Sequence, residues 1–395
     1  MSKPKISRNV LIVAFVALFS GLGQDLITPV LPAYLLTLGI GHAGVGVIDG
    51  LLQGFTSLFR FVSGILSDRF RNRKFFIFLG YTFSSVARPI LALTNSFAGI
   101  AILRSVDGVG KGMKDSPRDA LVADSAAVEY RGRAFGFHRL VDTAGSVLGP
   151  LLAAAILFAL TPSLHSYRLI FALAVIPGLI ALSLIFFGIK EPENKMATVV
   201  KTNQSFPWQF WVFVLGMTLA MLTKINDSLF LIRAQDLGIT ARWIPVLFAG
   251  FTLIYAVLSY PVGILSDRFG KMPFIMLGWL VLSLVELGFI FDSTIGVALI
   301  LFAFYGLFYA LTEGSARAII ADLVTVEARG SAYAIFNTFV GLAVIAGGFF
   351  LGKIWDNASP AYAFAFSSAG SLVGFLILLF LLWEGMRKKA AGIAP

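Results

Sequence analysis

Charged and polar side chains lie inside several long apolar runs of this sequence. A charge near the centre of a bilayer costs at least about 2.5–3.5 kcal/mol on insertion scales, so such a residue persists only when it is paired or faces a wet cavity. The pattern therefore indicates either buried ion pairs or a water-filled site with a group that can bind a proton. The residues concerned are Gln24, Asp25, Arg104, Asp107, Lys111, Lys114, Arg118, Lys224, Asn226, Asp227, Glu313 and Arg317.

Asp25 is the first candidate for carrying a proton, because no basic residue lies near it in its own apolar run. Asp107 and Asp227 each follow a basic residue, Arg104 or Lys224, at the three-residue spacing that makes neighbours on a helix surface. We expect both to stay ionised as partners of these cations, with Asp227 the second candidate for proton coupling.

The charges in these runs balance, and so they do not select a cationic or an anionic ligand. The carboxylates are Asp25, Asp107, Asp227 and Glu313, and the cations are Arg104, Lys111, Lys224 and Arg317. In the run around residue 110, five charged residues lie at intervals of 3, 4, 3 and 4 positions, which places them on one stripe of a helix. They are Arg104, Asp107, Lys111, Lys114 and Arg118.

The composition is that of a membrane protein. Of the 395 residues, 58% are hydrophobic and 13% are charged, and the mean hydropathy is +0.87. A soluble protein would be about half apolar and a quarter charged. The net charge of +10 does not indicate nucleic-acid binding, because the basic residues lie in short gaps between apolar runs. There is no cysteine, and the three histidines are too far apart to predict a metal site.

The apolar runs predict twelve transmembrane helices, since about 20 apolar residues span a bilayer. The one long hydrophilic stretch, 190–207, predicts a linker between two six-helix bundles at 1–189 and 208–395. The predicted spans are 9–38, 43–67, 75–94, 97–122, 133–160, 168–189, 208–235, 242–266, 273–291, 295–322, 331–353 and 362–385.

The second half of the chain repeats the first. The heptapeptide GILSDRF begins at Gly64 and again at Gly263, an offset of 199. A second pattern, with Arg131 in one copy and Arg329 in the other, recurs at an offset of 198. The repeat indicates two parallel bundles. Basic residues concentrate in the loops on one side, which predicts that both termini and the linker are cytoplasmic.

Two parallel six-helix repeats with these motifs resemble the major facilitator superfamily. The loop sequences beginning at Gly64 and Gly263 resemble its motif between helices 2 and 3 and the copy between helices 8 and 9. Arg104, followed four residues later by Gly108, resembles its helix 4 motif. The resemblance covers the whole chain, and it implies an all-α membrane fold that works by alternating access.

The resemblance also implies roles for the charged residues. Helices 1, 4, 7 and 10 line the central cavity in this superfamily, which assigns to the cavity Gln24, Arg104, Asp107, Lys111, Lys224, Asn226, Tyr309, Glu313 and Arg317. The repeated loop charges are expected to form a cytoplasmic gate from Asp68, Arg69, Glu129, Arg131, Asp267, Arg268, Glu327 and Arg329. Helix 2 faces the other bundle in this superfamily, so its polar residues Asp49, Gln53, Thr56 and Arg60 are expected to make inter-bundle contacts.

The fifth run contains Gly136, Gly145 and the pair Gly149-Pro150, and it resembles the helix 5 motif of the drug and metabolite antiporters in the superfamily. Small residues let a neighbouring helix approach closely, and Pro removes a backbone hydrogen bond. The motif ends in Ala153-Ala154 where the family usually has two glycines. For Arg88 and Glu286, the sequence indicates no role beyond a local pair or a snorkelling side chain.

The sequence thus predicts a proton-coupled secondary transporter that exports a small organic molecule by antiport, and not an enzyme. Proton-coupled import of an organic anion or zwitterion, a lipid flippase and a membrane sensor are the alternatives. The expected partners are the substrate, protons and the lipid bilayer, and the sequence leaves open whether sodium replaces the proton. We expect no cofactor, no metal and no nucleic acid, and a monomer in the inner membrane.

Overall fold

The computed structural model describes residues 7–70, 72–126, 130–191, 206–291, 294–325 and 328–390. For residues 68, 314, 315, 317, 318, 321, 385, 386 and 388–390 it describes the backbone only. Throughout these ranges the regular secondary structure is helical, and the all-α membrane fold predicted from the sequence is confirmed.

Fifteen α-helices are described. They are α1 (Arg8–Asp25), α2 (Leu31–Thr37), α3 (His42–Phe70), α4 (Arg73–Ile90), α5 (Phe97–Asp124), α6 (Arg131–Ala159), α7 (Leu164–Leu173), α8 (Val175–Gly188), α9 (Trp208–Thr223), α10 (Asp227–Asp236), α11 (Ile244–Phe269), α12 (Lys271–Gly288), α13 (Ile295–Leu323), α14 (Arg329–Asn357) and α15 (Pro360–Ala390). A 3₁₀ turn, Leu91–Leu93, follows α4.

These helices form twelve spans in the described part of the chain, because three of the spans are interrupted. The pairs α1–α2, α7–α8 and α9–α10 each make one span from two pieces. Ten helical segments are long and apolar enough to cross a membrane. The other two spans are α1–α2, which is interrupted after Asp25, and α5, which carries the charged stripe.

Proline and side-chain capping explain two of the interruptions. Pro29 lies in the turn between α1 and α2, where it cannot donate a backbone hydrogen bond, and Pro32 lies in the first turn of α2. Between α9 and α10, the side chain of Asn226 accepts a hydrogen bond from the Leu229 backbone N–H and so starts a new helix. The two spans are therefore interrupted directly beside Asp25 and Asp227.

Residue contacts divide the chain into two compact units. Unit 1 comprises Met1–Ile40, Leu51–Val199 and Thr240–Ala249, and unit 2 comprises Gly41–Gly50, Val200–Ile239 and Gly250–Pro395. Helix α3 therefore begins in unit 2 and continues in unit 1, while α11 does the reverse. The boundaries at 189 and 208 stay a prediction.

Each unit has its own apolar core. In unit 1, α1 packs on α6 and α8, and α4 packs on α5 and α8, around buried residues that include Val13, Val16, Ile77, Leu121 and Ile185. In unit 2, α12 packs on α13 and α15, and α9 packs on α14 and α15. Its core is aromatic and includes Phe230, Phe289, Phe302, Tyr305 and Phe364.

Large apolar side chains cover much of the exterior. Phe187 is 79% exposed and Phe186 61% exposed, and similar residues lie along most spans. Soluble proteins do not expose contiguous apolar surface on this scale. This surface is therefore the one that contacts lipid.

Candidate functional site

A buried carboxylate on α5 holds two arginines together in unit 1. Arg88 Nε on α4 lies 3.2 Å from each Asp107 carboxylate oxygen, and Arg104 Nη1 lies 3.3 Å from Asp107 Oδ2. All three residues are at most 3% exposed. The Arg104–Asp107 pair follows the predicted i,i+3 spacing, whereas Arg88 comes from a different helix.

Arg88 also connects this carboxylate to α1. Its Nη1 donates to the Ser20 carbonyl oxygen at 3.2 Å, and its Nη2 donates to Gln24 Oε1 at 3.4 Å. The expectation that Arg88 makes only a local pair or snorkels is wrong, because its guanidinium bridges three helices. The only sequence signal for this role is a charged residue deep in an apolar run.

Asp25, the last residue of α1, has a buried carboxylate with neutral hydrogen-bond donors. Its Oδ1 lies 3.4 Å from Gln24 Nε2 and 3.3 Å from Thr28 Oγ1. It is 7% exposed. Among the described residues it forms no salt bridge within 4.0 Å, although Lys111 and Arg88 interact with it electrostatically over longer distances. Lys111 thus supplies from α5 the positive charge that α1 itself lacks.

Lys114 lies in the interior of unit 1. Its Nζ donates to Ser20 Oγ at 2.7 Å and lies 4.1 Å from the centroid of the Tyr81 ring, a cation–π geometry. The side chain is buried and has no carboxylate within 4.0 Å among the described residues. Of the five charged residues on the α5 stripe, Lys114 and Lys111 have no carboxylate within 4.0 Å among the described residues.

Further along α5 the charges form a salt-bridge network. The buried Asp115 pairs with Arg60 of α3 and with Arg118, whose Nη1 lies 3.5 Å from Asp115 Oδ1. Arg118 also pairs with Asp119 at 3.2 Å. Within unit 1, Arg60 therefore has an ion-pair partner, Asp115, that the sequence did not single out. Its inter-bundle role stays a prediction.

In unit 2 the central carboxylate belongs to Asp227, at the start of α10. Tyr305 and Tyr309 of α13 both donate hydrogen bonds to Asp227 Oδ1, the second at 2.7 Å. Lys224 Nζ lies 3.4 Å from the same oxygen and 3.0 Å from Tyr305 Oη. The structure brings together the predicted Lys224–Asp227 pair and the predicted Tyr309, and the aromatic rings surround the ammonium.

The remaining polar candidates of unit 2 have partners that the sequence did not indicate. Asn226 caps α10 and donates from Nδ2 to the Gly46 carbonyl oxygen at 3.2 Å. The Glu313 carboxylate accepts a hydrogen bond from Tyr255 of α11. The side chain of Arg317 lies outside the described part of the structure, so its assignment to the cavity stays a prediction.

Glu286 of α12 is a second fully buried acid in unit 2. Its Oε1 accepts from the Ser367 hydroxyl and its Oε2 from the Ser371 hydroxyl at 2.7 Å, both on α15. The side chain is 0% exposed. The expectation of a merely local or snorkelling role is wrong here too, because the carboxyl group is turned into the α12–α15 interface.

The predicted gate residues are described only in part. The side chain of Asp68 and all of Glu129 and Glu327 lie outside the described residues. Arg131 Nε donates to the Ala123 carbonyl oxygen at 3.1 Å, and Arg268 lies over the ring of Phe269. Arg69 and Asp267 are exposed, and Arg329 is partly exposed.

Two equivalent ion pairs lie at these helix ends. Arg73 pairs with Asp124 in unit 1, and Lys271 Nζ lies 3.0 Å from Asp322 Oδ2 in unit 2. Both partners are displaced by 198 positions, from 73 to 271 and from 124 to 322. Each pair ties the start of the third span of its repeat to the end of the fourth.

Two of the three motif glycines on α6 allow close packing against α1. A Cβ on Gly149 would lie 2.6 Å from the Leu22 carbonyl oxygen, and one on Gly145 would clash with the Leu18 carbonyl. A Cβ on Gly136 would meet nothing within 4 Å. Gly347 of α14 meets the Leu222 carbonyl of α9 in the same way. The close packing is therefore a property of both repeats, and Pro150 is buried beside it in α6.

Comparison with known proteins gives a match along nearly the whole chain. A family model described as Major Facilitator Superfamily matches residues 13–223 and 210–393. The uncharacterized MFS-type transporter MJ1317 of Methanocaldococcus jannaschii is 31% identical over 386 residues, which cover 95% of this chain and 96% of that protein.

More distant similarity extends to proteins named for transport. Multidrug resistance protein 1 of Bacillus subtilis is 24% identical over 279 residues, 69% of each chain. A crystal structure of a mutant of the nucleoside transporter NupG superposes with a TM-score of 0.76 at 14% identity, over 94% of this chain and 99% of that one.

Proposed function

Because the chain belongs to the Major Facilitator Superfamily, a family of membrane transporters and not of enzymes, we propose that it exports a small organic molecule by proton antiport, with Asp25 as the proton-carrying residue. It is a multi-pass membrane protein. In this proposal, residues 1–189 rock against 208–395 in alternating access, the termini are cytoplasmic, and the protein acts as a monomer in the inner membrane.

The difference between Asp25 and the other two central carboxylates carries the proposal. Asp107 is held by two arginines, and Asp227 is held by Lys224 and two tyrosines. Charge-assisted bonds of this kind favour the ionised carboxylate. Among the described residues, the hydrogen-bond partners of Asp25 are neutral: the Gln24 amide and the hydroxyls of Thr28 and Ser146. Its carboxylate can therefore accept a proton without breaking a salt bridge.

Lys111 provides a physical link between the proton and the substrate site. An ionised Asp25 attracts the Lys111 ammonium across the gap between α1 and α5. Protonation of Asp25 removes this attraction. Lys111 and the neighbouring polar groups therefore bind the substrate with different affinity when Asp25 is protonated and when it is ionised. A ligand shifts a conformational equilibrium only through such differential interactions.

The direction of transport is proposed on two grounds. The helix 5 sequence from Gly136 to Pro150 resembles the antiporter motif, and the chain is similar to Multidrug resistance protein 1 of Bacillus subtilis. The predicted gate charges, including Asp68, Arg69, Asp267 and Arg268, would hold one facing state and release it in the other.

One observation favours a second candidate, proton-coupled import of an organic anion. In unit 1 the buried or half-buried cations outnumber the central carboxylates Asp25 and Asp107, because Arg88 and Lys114 join Arg104 and Lys111. Protonation of Asp25 would increase this positive charge, so an anion and a proton would then bind together and move in the same direction.

Everted membrane vesicles distinguish the two candidates. With the interior acidified and a pH-sensitive dye present, ethidium, benzoate, uridine and xylose would be added in turn. Antiport predicts substrate-dependent loss of the gradient in wild type and in Asp119→Asn, whose carboxylate is exposed, but not in Asp25→Asn. Proton-driven entry of benzoate into right-side-out vesicles, without any response in everted ones, would replace export by import.

A further inference from the structure

We propose that Glu286 is a second proton-binding site, which is linked to the Lys224–Asp227 pair through Ser367 and the break between α9 and α10. The inference rests on the proposed proton coupling and adds a site in unit 2 to Asp25 in unit 1. Its ligand is a proton, and its effect is to reposition the backbone and the ammonium at that break.

The surroundings of Glu286 suit both protonation states. The carboxyl group is 0% exposed, its close partners are the hydroxyls of Ser367 and Ser371, and the Ile225 backbone N–H also acts on it as a donor. Among the described residues, no Lys or Arg nitrogen lies within 4.0 Å of it. A serine hydroxyl can donate to a carboxylate and can accept from a carboxylic acid. The site can therefore gain or lose a proton by rotation of a hydroxyl, without movement of the helices.

Burial without a counter-ion makes the protonation state sensitive to the surroundings. An ionised carboxylate in an apolar interior is costly unless it is paired, and groups in this situation tend to neutralise. Neutral donors offset part of that cost, so neither form of Glu286 is excluded by the geometry. A purely structural role would be served by an uncharged residue such as Gln with less cost.

Ser367 connects Glu286 to the interrupted seventh span. Its Oγ accepts a hydrogen bond from the Ile225 backbone N–H at 2.8 Å while its hydroxyl hydrogen is directed at Glu286. Ile225 lies in the break between Lys224 and Asn226, where backbone groups lack helical partners. Protonation of Glu286 would turn the Ser367 hydroxyl. This rotation would change the strength of the hydrogen bond between the Ile225 N–H and Ser367 Oγ.

The charged group that acts on Glu286 from the neighbouring elements is Lys224. The α15 side contributes hydroxyls, and α13 contributes Tyr305 and Tyr309, which bind Asp227 rather than Glu286. Lys224 is thus shared electrostatically between two carboxyl groups. When Glu286 is protonated, it no longer attracts Lys224. The ammonium then keeps its contacts with Asp227 and Tyr305, so the Lys224–Asp227 ion pair becomes tighter.

The internal repeat places Glu286 at the level of the central site. Helices α4 and α12 begin at 73 and 271 and end at 90 and 288, an offset of 198 at both ends. At this offset, Glu286 corresponds to Arg88. Arg88 contacts both Asp107 and Gln24 in unit 1, and Glu286 interacts electrostatically with Lys224 in unit 2. The same position of the third span therefore interacts with the central charged residues of its own repeat.

Infrared titration of the purified full-length protein in nanodiscs tests the inference without any substrate. The C=O stretch of protonated carboxyl groups is recorded against pH for wild type, Glu286→Gln, Asp25→Asn and Ser371→Ala. We expect a titrating band that is lost in Glu286→Gln, kept in Asp25→Asn and altered in Ser371→Ala. Its midpoint should shift in Lys224→Gln and stay unchanged in Lys271→Gln, a matched control whose partner Asp322 lies at a helix end.

Two results would overturn the inference. A band assigned to Glu286 that persists at every pH would show a permanently neutral acid, and the absence of such a band at every pH would show a permanently ionised one. Ser371→Ala retains the carboxyl group, so the titration remains decisive if Glu286→Gln fails to fold. Because Asp25→Asn is titrated separately, loss of the Asp25 proposal alone would leave the Glu286 band in place.

Discussion

Asp107 and Tyr305 occupy equivalent positions in the two repeats. They are 198 residues apart, the same offset that separates the first residues of α5 and α13. Asp107 accepts hydrogen bonds from arginines in unit 1, whereas Tyr305 donates one to Asp227 in unit 2. The duplicated framework therefore carries two different polar centres. Among the described side chains of unit 1, Arg88, Arg104, Lys111 and Lys114 outnumber the central carboxylates Asp25 and Asp107.

We predict that Arg88→Ala destabilises the protein strongly. The substitution removes one of two guanidinium groups from the buried Asp107 and breaks the links to Ser20 and Gln24. Removing one partner of a buried pair costs about 3–5 kcal/mol. Unfolding in mixed micelles by increasing sodium dodecyl sulfate would measure this loss.

Lys271→Ala serves as the control for this variant, because it removes a partly exposed pair with Asp322. Exposed pairs contribute about 0–1 kcal/mol. Equal losses for the two variants would contradict the bridging role of Arg88.

A branched side chain at Gly149 should prevent normal folding. In Gly149→Val, the new atoms would meet the α1 backbone at Leu22 and Leu26, which cannot move as a flexible side chain would. In Gly136→Val the new Cβ would meet nothing within 4 Å. Fluorescence-detection size-exclusion chromatography of the two variants is the measurement. We expect a monodisperse peak for Gly136→Val only, and a normal peak for Gly149→Val would refute the close packing.

Asp227→Asn should weaken the protein without removing proton coupling. The substitution takes a charged partner from Lys224 and an acceptor charge from Tyr305 and Tyr309. Hydrogen bonds to charged groups contribute about 1.5–3 kcal/mol, so unfolding should become easier by about 2 kcal/mol. The ratio of protons to substrate should stay at the wild-type value. A ratio that falls to zero would instead make Asp227 the carrier.

Asp68→Asn should slow turnover while leaving substrate binding intact. In the proposed gate this carboxylate stabilises one facing state through charge-assisted hydrogen bonds, and binding at the centre does not depend on it. Equilibrium binding and initial transport rates are to be compared in the same membranes, with Asp119→Asn as the control. Transport at the wild-type rate, in correctly inserted protein, would refute the gate assignment.

The sequence predicts the spans and the local pairs, because both depend on short-range patterns. Arg104 with Asp107 and Lys224 with Asp227 follow from a three-residue spacing on a helix. The twelve spans follow from hydropathy, and the prolines after Asp25 mark one of the interruptions.

The long-range partners could not be predicted from such patterns. Arg88 finds Asp107 across a helix interface, and Glu286 finds Ser367 from a helix 81 positions away. Serine gives no hydropathy signal in an apolar run, so the sequence shows Glu286 but not its partners Ser367 and Ser371. The offset of 198 does align Arg88 with Glu286, and it would have marked both as related positions.

Two modes of transport in Asp25→Asn test most directly whether Asp25 carries the proton. A substrate found in the vesicle panel is followed in counterflow at equal pH, and then in accumulation driven by a pH gradient. We predict that the variant keeps counterflow near the wild-type rate and loses gradient-driven accumulation, because exchange of substrate needs no proton transfer. Accumulation at the wild-type rate in Asp25→Asn would contradict the assignment of the proton to Asp25.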